Sequence, residues 1–325
     1  MAISPFIIEA NKYEAPIRNA LIKAFNELRT QESRAAIVRT LEKEGIEGVL
    51  RLFENIEPKL AAHLSPVIDQ AIGSGATLPV SMIPAAGLLN DDIVISLYNS
   101  NTVGFFEKYK LELIQQIGAN TRDAVRNSLI ADSLEGINPV ATARNFRNTL
   151  GLTANQEKAV RNYRKYLETL DSTALNRKLR DKRFDRSILN AINNDTPLSK
   201  EQIEKMTNRY RERYIKYRSE TIARTESLRA VSIGNRMALD QMIFNGDVDV
   251  DRMRRFWHTS GDERVRSDHV KIPGMNIGGV KLNEPYQTPL GPLMYPRDPN
   301  GTAANTIQCR CTETYKLILT PTQET

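Results

Sequence analysis

The sequence predicts a mainly α protein: helical N-terminal and middle regions followed by a small, loop-rich α+β C-terminal domain. Three observations carry this. Apolar residues recur at the three-and-four spacing of a helix face through most of the first 244 positions. Helix-capping signals punctuate the middle of the chain. Beyond Asn245-Gly246, prolines and glycines stand too close together for long helices.

The chain has 325 residues, 40% of them hydrophobic, which is enough for two or three domains with a real core. No window approaches the roughly 18 uncharged apolar residues of a membrane helix, and Met1-Ala2-Ile3-Ser4-Pro5 lacks the basic start of a secretory signal. These features suit a protein made and kept in a reducing cytoplasm. Two cysteines one residue apart argue against a disulfide scaffold, because a Cys-x-Cys ring is strained. The net charge is +6, yet Arg144 to Arg218 alone holds 19 Lys and Arg against 9 Asp and Glu. Such a block suits a polyanion such as nucleic acid; it also suits solvated faces built from good helix formers.

From Pro5 to about Ile72 the pattern is helical, with Ile17, Leu21, Ala24, Phe25 and Leu28 on one face. Gly45 and Gly48 mark a break. A second helix is expected through Val49, Leu52, Phe53 and Ile56, ending at Pro58, with a further piece up to Ile72. Residues 73–90 read as a linker or extended arm, since their glycines open φ space and their prolines remove donors. The predicted division is therefore 1–72 helical, 73–90 linker, 91–245 basic helical core, and 246–325 a small α+β domain with a short tail.

Within the core, Asn138-Pro139 is a cap with a first-turn proline, Gly151 ends that helix, and Thr153-x-x-Gln156 and Ser199-x-x-Gln202 are capping boxes. The corners they define lack the polar, base-reading helix of a helix-turn-helix. The longest helix is expected from Glu201 to Phe244. Its first half interleaves Arg and Tyr, whose planes stack on bases or lie along phosphates, although tyrosines at this spacing also serve as half-buried packing. Candidate nucleic-acid contacts are Arg161, Arg164, Lys165, Arg209, Arg211, Arg213, Lys216 and Arg218. In the second half Ala223, Ser227, Ala230, Gly234 and Met237 form a small-residue stripe that lets another helix approach closely.

The segment from Arg254 to Thr314 gathers the only tryptophan, both cysteines and two of the three histidines. Arg255 to Thr259 is a strand candidate turned by Ser260-Gly261-Asp262, and Ile307 to Leu319 holds one or two more strands. Asp262, Arg264, Arg266, Asp268 and His269 invite an acid–base reading, in which Asp268 or Asp262 orients His269 as a base and the arginines hold a phosphate. The competing reading is a salt-bridge cluster that pins Asp262 to an arginine. No Ser or Cys stands in a nucleophile setting. His258, His269, Cys309 and Cys311 make a chemically plausible zinc set. Against it, Cys-x-Cys is not the usual knuckle spacing, and strand alternation turns His258 away from its neighbour Trp257. The metal candidates reduce to His269, Cys309 and Cys311, with the two cysteines on one face of a strand; no other cofactor is expected.

Ala223-Arg224-Thr225-Glu226, then Trp257-x-Thr259-x-x-Asp262-x-Arg264-x-Arg266-x-x-His269, then Cys309-Arg310-Cys311-Thr312, together resemble the minor head or head-morphogenesis proteins of tailed bacteriophages, the Mu F-like family. The resemblance runs from about Asp91 to Tyr315; the first ninety residues match nothing recognisable. It implies a virion structural protein inside the head near the portal vertex, present in the host cytoplasm during assembly, and acting in head morphogenesis, genome packaging or ejection. Implied partners are the portal protein, other head proteins and double-stranded DNA bound without sequence preference, with no membrane and no enzymatic activity. On this reading Arg224, Glu226, Trp257, Asp262, Arg264, Arg266, His269, Cys309, Arg310 and Cys311 form a structural network. The alternative is a metal-dependent or acid–base enzyme, nuclease- or hydrolase-like, using the same C-terminal cluster.

Overall fold

The computed structural model describes residues 4–90, 93, 95 and 100–318, with backbone only at 100–103, 105 and 106. It is mainly helical with one small sheet near the C-terminus, as the sequence predicts. The chain forms two compact units, each built from separated stretches: Asn19–His63 with Glu112–Glu220, and Met1–Arg18 with Leu64–Leu111 and Thr221–Thr325.

In the first of these units, Leu21, Ala24, Phe25 and Leu28 of helix α1 (Pro5–Gln31) are buried on the predicted stripe. Ser33 caps α2 (Arg34–Arg51), which kinks at Gly45 where φ is 65°. The expected helix ending at Pro58 is not there: α2 stops at Arg51 and α3 (Ile56–Gly75) carries Pro58 in its first turn. That position has no intrahelical acceptor, so the missing N–H costs nothing. α5 (Ser100–Leu134) precedes α6 (Pro139–Thr149), whose cap Asn138 accepts from the Ala141 N–H at 2.9 Å. The Thr153–Gln156 capping box opens α7 (Ala154–Glu168). The Ser199–Gln202 box, with bonds of 2.8 and 3.2 Å, opens α9 (Lys200–Asn245) after α8 (Asp185–Asn193). Phe53 meets Phe146 at 4.6 Å and Tyr163 meets Tyr210 at 4.3 Å between ring centroids, so these tyrosines are packing.

In the other unit the end of α3 lies against the second half of α9 at van der Waals distance. A Cβ on Gly234 would stand 1.9 Å from the Ile72 carbonyl oxygen, and one on Gly75 would stand 2.1 Å from that of Val231. The small-residue stripe is thus a helix–helix contact, as predicted. The stretch 73–90 is packed rather than a free linker. α3 continues to Gly75, α4 (Leu78–Met82) follows, and Ile83 enters a core with Leu239, Met242, Val248, Met253, Leu282 and Tyr315. Gly75 reflects close approach, Pro79 sits in the first turn of α4 and Pro84 immediately precedes a 3-10 turn, so none of the three signals flexibility.

α9 ends at Asn245, with Gly246 at φ 75°. The C-terminal module follows as β1 (Met253–His258), α10 (Ser267–Met275), β2 (Val280–Lys281), α11 (Ala303–Thr306) and β3 (Thr312–Leu317). The antiparallel sheet has the order β2-β1-β3, and Trp257 pairs with Glu313 while Arg255 pairs with Tyr315. Burial alternates along β1, sending Met253, Arg255 and Trp257 inward. The strand expected from Ile307 starts only at Thr312, because α11 occupies the preceding turn and Gln308 takes φ 55°, a left-handed backbone foreign to a strand. Cys309 and Cys311 therefore lie in the loop that enters β3.

Candidate functional site

The inner face of β1 presents two neighbouring clusters. In the first, the fully buried Arg255 pairs with Glu313 at 3.1 Å. Its guanidinium lies 5.0 Å from the Tyr286 ring centroid and donates to the Met294 and Glu284 carbonyls. The Tyr286 hydroxyl donates to Glu313 at 3.2 Å, and that of Tyr315 donates to Asn235 at 2.6 Å. Burial, then the Glu313 charge, push both tyrosine hydroxyls well up. Sequence reasoning missed Arg255 and Glu313 as a pair. The one available signal was alternation: a strand that turns Trp257 inward turns Arg255 inward too.

The second cluster gathers His269 from the first turn of α10 with Cys309 and Cys311. His269 Nδ1 lies 3.6 Å from the Cys309 sulfur and 3.4 Å from the Cys311 sulfur, and all three side chains are buried. A relay fixes the imidazole. Thr288 donates its hydroxyl to the Gly291 carbonyl, Asn305 Nδ2 donates to Thr288 Oγ1 at 3.0 Å, and Asn305 Oδ1 therefore accepts from His269 Nε2–H at 3.0 Å. With its proton on Nε2, the ring turns the Nδ1 lone pair toward both sulfurs. The Trp257 indole stands edge-on to His269 at 6.1 Å. Its buried N–H has no oxygen or nitrogen partner and faces Cys311.

Arg297, also fully buried, donates to the carbonyls of Cys309 and Cys311 and to Ser232 Oγ at 2.7 Å. Among the described residues no carboxylate forms an ion pair with it, and burial draws its guanidinium below the usual range. The Cys311 hydrogen bond holds the Cys309 thiol well below its usual range, with His269 and the Arg297 charge helping, while Cys311 is pushed up by the same bond and by burial. Arg297 too escaped sequence reasoning, since it sits inside a proline-rich loop with no periodicity.

The predicted structural network is only partly assembled. Glu226 on α9 accepts from the Tyr109 hydroxyl and pairs with Arg229 at 2.8 Å. Arg229 continues to the Arg297 carbonyl and to Thr306 Oγ1, each at 3.3 Å. Thr225 Oγ1 accepts from the Gln308 N–H at 3.1 Å, so the Thr225-Glu226 pair docks the cysteine loop on α9. Arg224 does not join: it is exposed and pairs with Glu14 at 3.2 Å. Asp262, Arg264, Arg266 and His269 do not form one cluster either. Asp262 pairs with Arg310 at 2.6 Å near the surface, Arg264 offers it only its backbone N–H, and Arg266 donates to the Ile307 carbonyl. Asp268 pairs with Lys271 at 3.2 Å. The predicted carboxylate partner of His269 is thus an amide oxygen instead, and a buried ring so held has no route to a substrate proton. His258 points to the other face, bonded to Thr314 Oγ1 at 2.8 Å, as alternation required.

The candidate nucleic-acid contacts divide sharply. Arg218 is buried and Arg211 half-buried at the wall of a cleft, and burial brings both guanidiniums down to about 10. Arg218 lies 5.5 Å from the Phe25 ring centroid and donates to the Ile117 carbonyl. Arg218 is thus closed off from a phosphate, while Arg211 donates to Asn208 Oδ1. Arg161 is engaged by Asp132, Glu135 and Glu157, and Arg164 by Glu168 and Glu204. The cleft these two border with Lys165 also carries those glutamates, which cancels much of its charge. Lys165, Arg209, Arg213 and Lys216 are exposed. Arg209 pairs with Glu212 at 2.6 Å and Lys216 with Glu220 at 3.8 Å, both solvent-exchangeable contacts.

Among the described residues no helix is long and apolar enough to cross a membrane. The chain matches no curated protein and no solved structure. The resemblance that the sequence suggested from about Asp91 is found over a shorter stretch, one that takes in α9, the sheet, His269 and both cysteines. Residues 197–314 match the family model described as Phage Mu protein F like protein, so over this stretch the chain is similar to that family.

Proposed function

We propose that the protein is a structural component of a tailed-phage head, acting in head morphogenesis and in genome packaging or ejection through contacts with the portal protein, other head proteins and duplex DNA. The family match over 197–314 carries this reading. Its sense is supported by Trp257, His269, Cys309 and Cys311 in that segment, which turn inward and pack together, as in a locked module rather than an open active site. DNA contact falls to the exposed cations Lys165, Arg209, Arg213 and Lys216, which act on phosphates without reading bases.

Retention of duplex DNA by the full-length protein is then independent of sequence and weakens steeply with salt, with log K falling by about 0.9 per phosphate contact for each decade of salt. The combined change Lys165→Glu and Lys216→Glu flattens that slope while leaving the helical circular dichroism intact. An affinity that does not change between low and physiological salt sinks the DNA contact. For the head assignment, mass spectrometry of purified mature and emptied particles is expected to find the protein in the mature ones; its absence from both rejects the assignment.

A further inference from the structure

We propose that His269, Cys309 and Cys311 bind a thiophilic d10 cation, with zinc the ion that best fits the donor set, in a site that fastens α10 to the loop entering β3. The three candidate donor atoms all lie within 4.8 Å of one another. With zinc–sulfur bonds near 2.3 Å and zinc–nitrogen bonds near 2.0–2.1 Å, a tetrahedral site separates sulfur from nitrogen by about 3.6 Å. The separations of 3.6 and 3.4 Å between His269 Nδ1 and the sulfurs match that edge.

The surroundings are those of a metal ligand set. A ligating histidine characteristically gives its second ring N–H to a carbonyl or carboxylate, which fixes the tautomer. Asn305 Oδ1 does this at 3.0 Å and is itself held by Thr288 at 3.0 Å. A disulfide between the cysteines would have no use for a lone pair aimed between them. Two further groups line the set: the fully buried Arg297, which donates to both cysteine carbonyls and forms no ion pair with a carboxylate among the described residues, and the buried Trp257 N–H, which has no oxygen or nitrogen partner. Two thiolates and one neutral imidazole supply three positions of a tetrahedron, the number found in zinc sites that leave the fourth to a small ligand. His258, on the opposite face of β1, is not part of the set.

Full-length protein, stripped with a chelator under reducing conditions and titrated with Co2+ alone, tests this. The expected result is one Co2+ per chain, with thiolate-to-cobalt charge-transfer bands and the intense visible bands of a tetrahedral site, both abolished by one equivalent of Zn2+. Cys309→Ser and Cys311→Ser each remove charge-transfer intensity. Asn305→Leu, which leaves all three donors in place, weakens binding by about 10–100-fold. The wild-type titration decides even where a serine variant fails to fold. Absence of thiolate–cobalt bands in wild-type protein that keeps its helical circular dichroism overturns the proposal. So do bands that both serine variants leave unchanged, or two titratable free thiols in reduced wild-type protein that takes up no cobalt.

Discussion

Glu313→Ala is expected to lower the stability of the C-terminal module by about 3–5 kcal/mol, because it strands a buried guanidinium without its counter-ion. Arg255 is fully buried, and its only carboxylate partner among the described residues is Glu313 at 3.1 Å. Glu313 also accepts from Tyr286, so the same change orphans a buried hydroxyl. Against a typical stability of about 5–15 kcal/mol, this is a large fraction. Trp257, the only tryptophan, belongs to the same module and reports on it directly, so denaturant unfolding followed by its fluorescence is the measurement. The pair is not thereby a net source of stability, since two charges withdrawn from water repay little beyond their desolvation. Arg255→Met with Glu313→Leu should accordingly recover most of what Glu313→Ala loses. A midpoint for Glu313→Ala within error of wild type, or a double variant no better than the single, contradicts the account.

The second large effect is Gly234→Ala, where two principles pull in opposite directions. In a free helix the change should stabilise by up to about 1 kcal/mol. Here the added carbon falls 1.9 Å from the Ile72 carbonyl oxygen, and at Gly75 it falls 2.1 Å from that of Val231. Both obstacles are backbone, so relief requires moving a helix, and overpacking of that kind costs about 1–3 kcal/mol or more. Gly234→Ala and Gly75→Ala should both lower the thermal midpoint. Gly274→Ala in α10, where an added Cβ would meet nothing within 4 Å, should stay within about 0.5 kcal/mol of wild type. Equal midpoints for Gly234→Ala and Gly274→Ala would remove the close helix approach from the explanation.

What the sequence disclosed and what it hid follow one physical division. Thr153 with Gln156, Ser199 with Gln202, and Asn138 act on backbone groups three residues away, so their spacing alone announces them. The stripe through Gly234 was legible because a helix repeats its face. The His269, Cys309 and Cys311 set was legible because such side chains are scarce and their chemistry is shared, although the loop that carries the cysteines was not. Pairing between distant charges has no period. Nothing near Asp262 marks Arg310 as its partner 48 residues on, or Glu313 as the partner of Arg255 across 58 residues. Arg218 looked like a phosphate contact because charge suggests solvent; its place on the inward side of α9 overrides it. Residues 73–90 looked loose because glycine and proline are also what close helix contact and a helix start require.

The unit holding the sheet draws on Leu64–Leu111 and on Thr221–Thr325, which has a consequence during translation. Ile83 emerges well before Leu239 and Met242, the side chains it packs against; at typical elongation rates the delay is roughly 8–30 s. Throughout that wait the nascent polypeptide carries uncovered oily surface, an invitation to chaperone capture. The same dependence means that a fragment cut to the family match would be synthesised without Ile83, a buried part of its own interior.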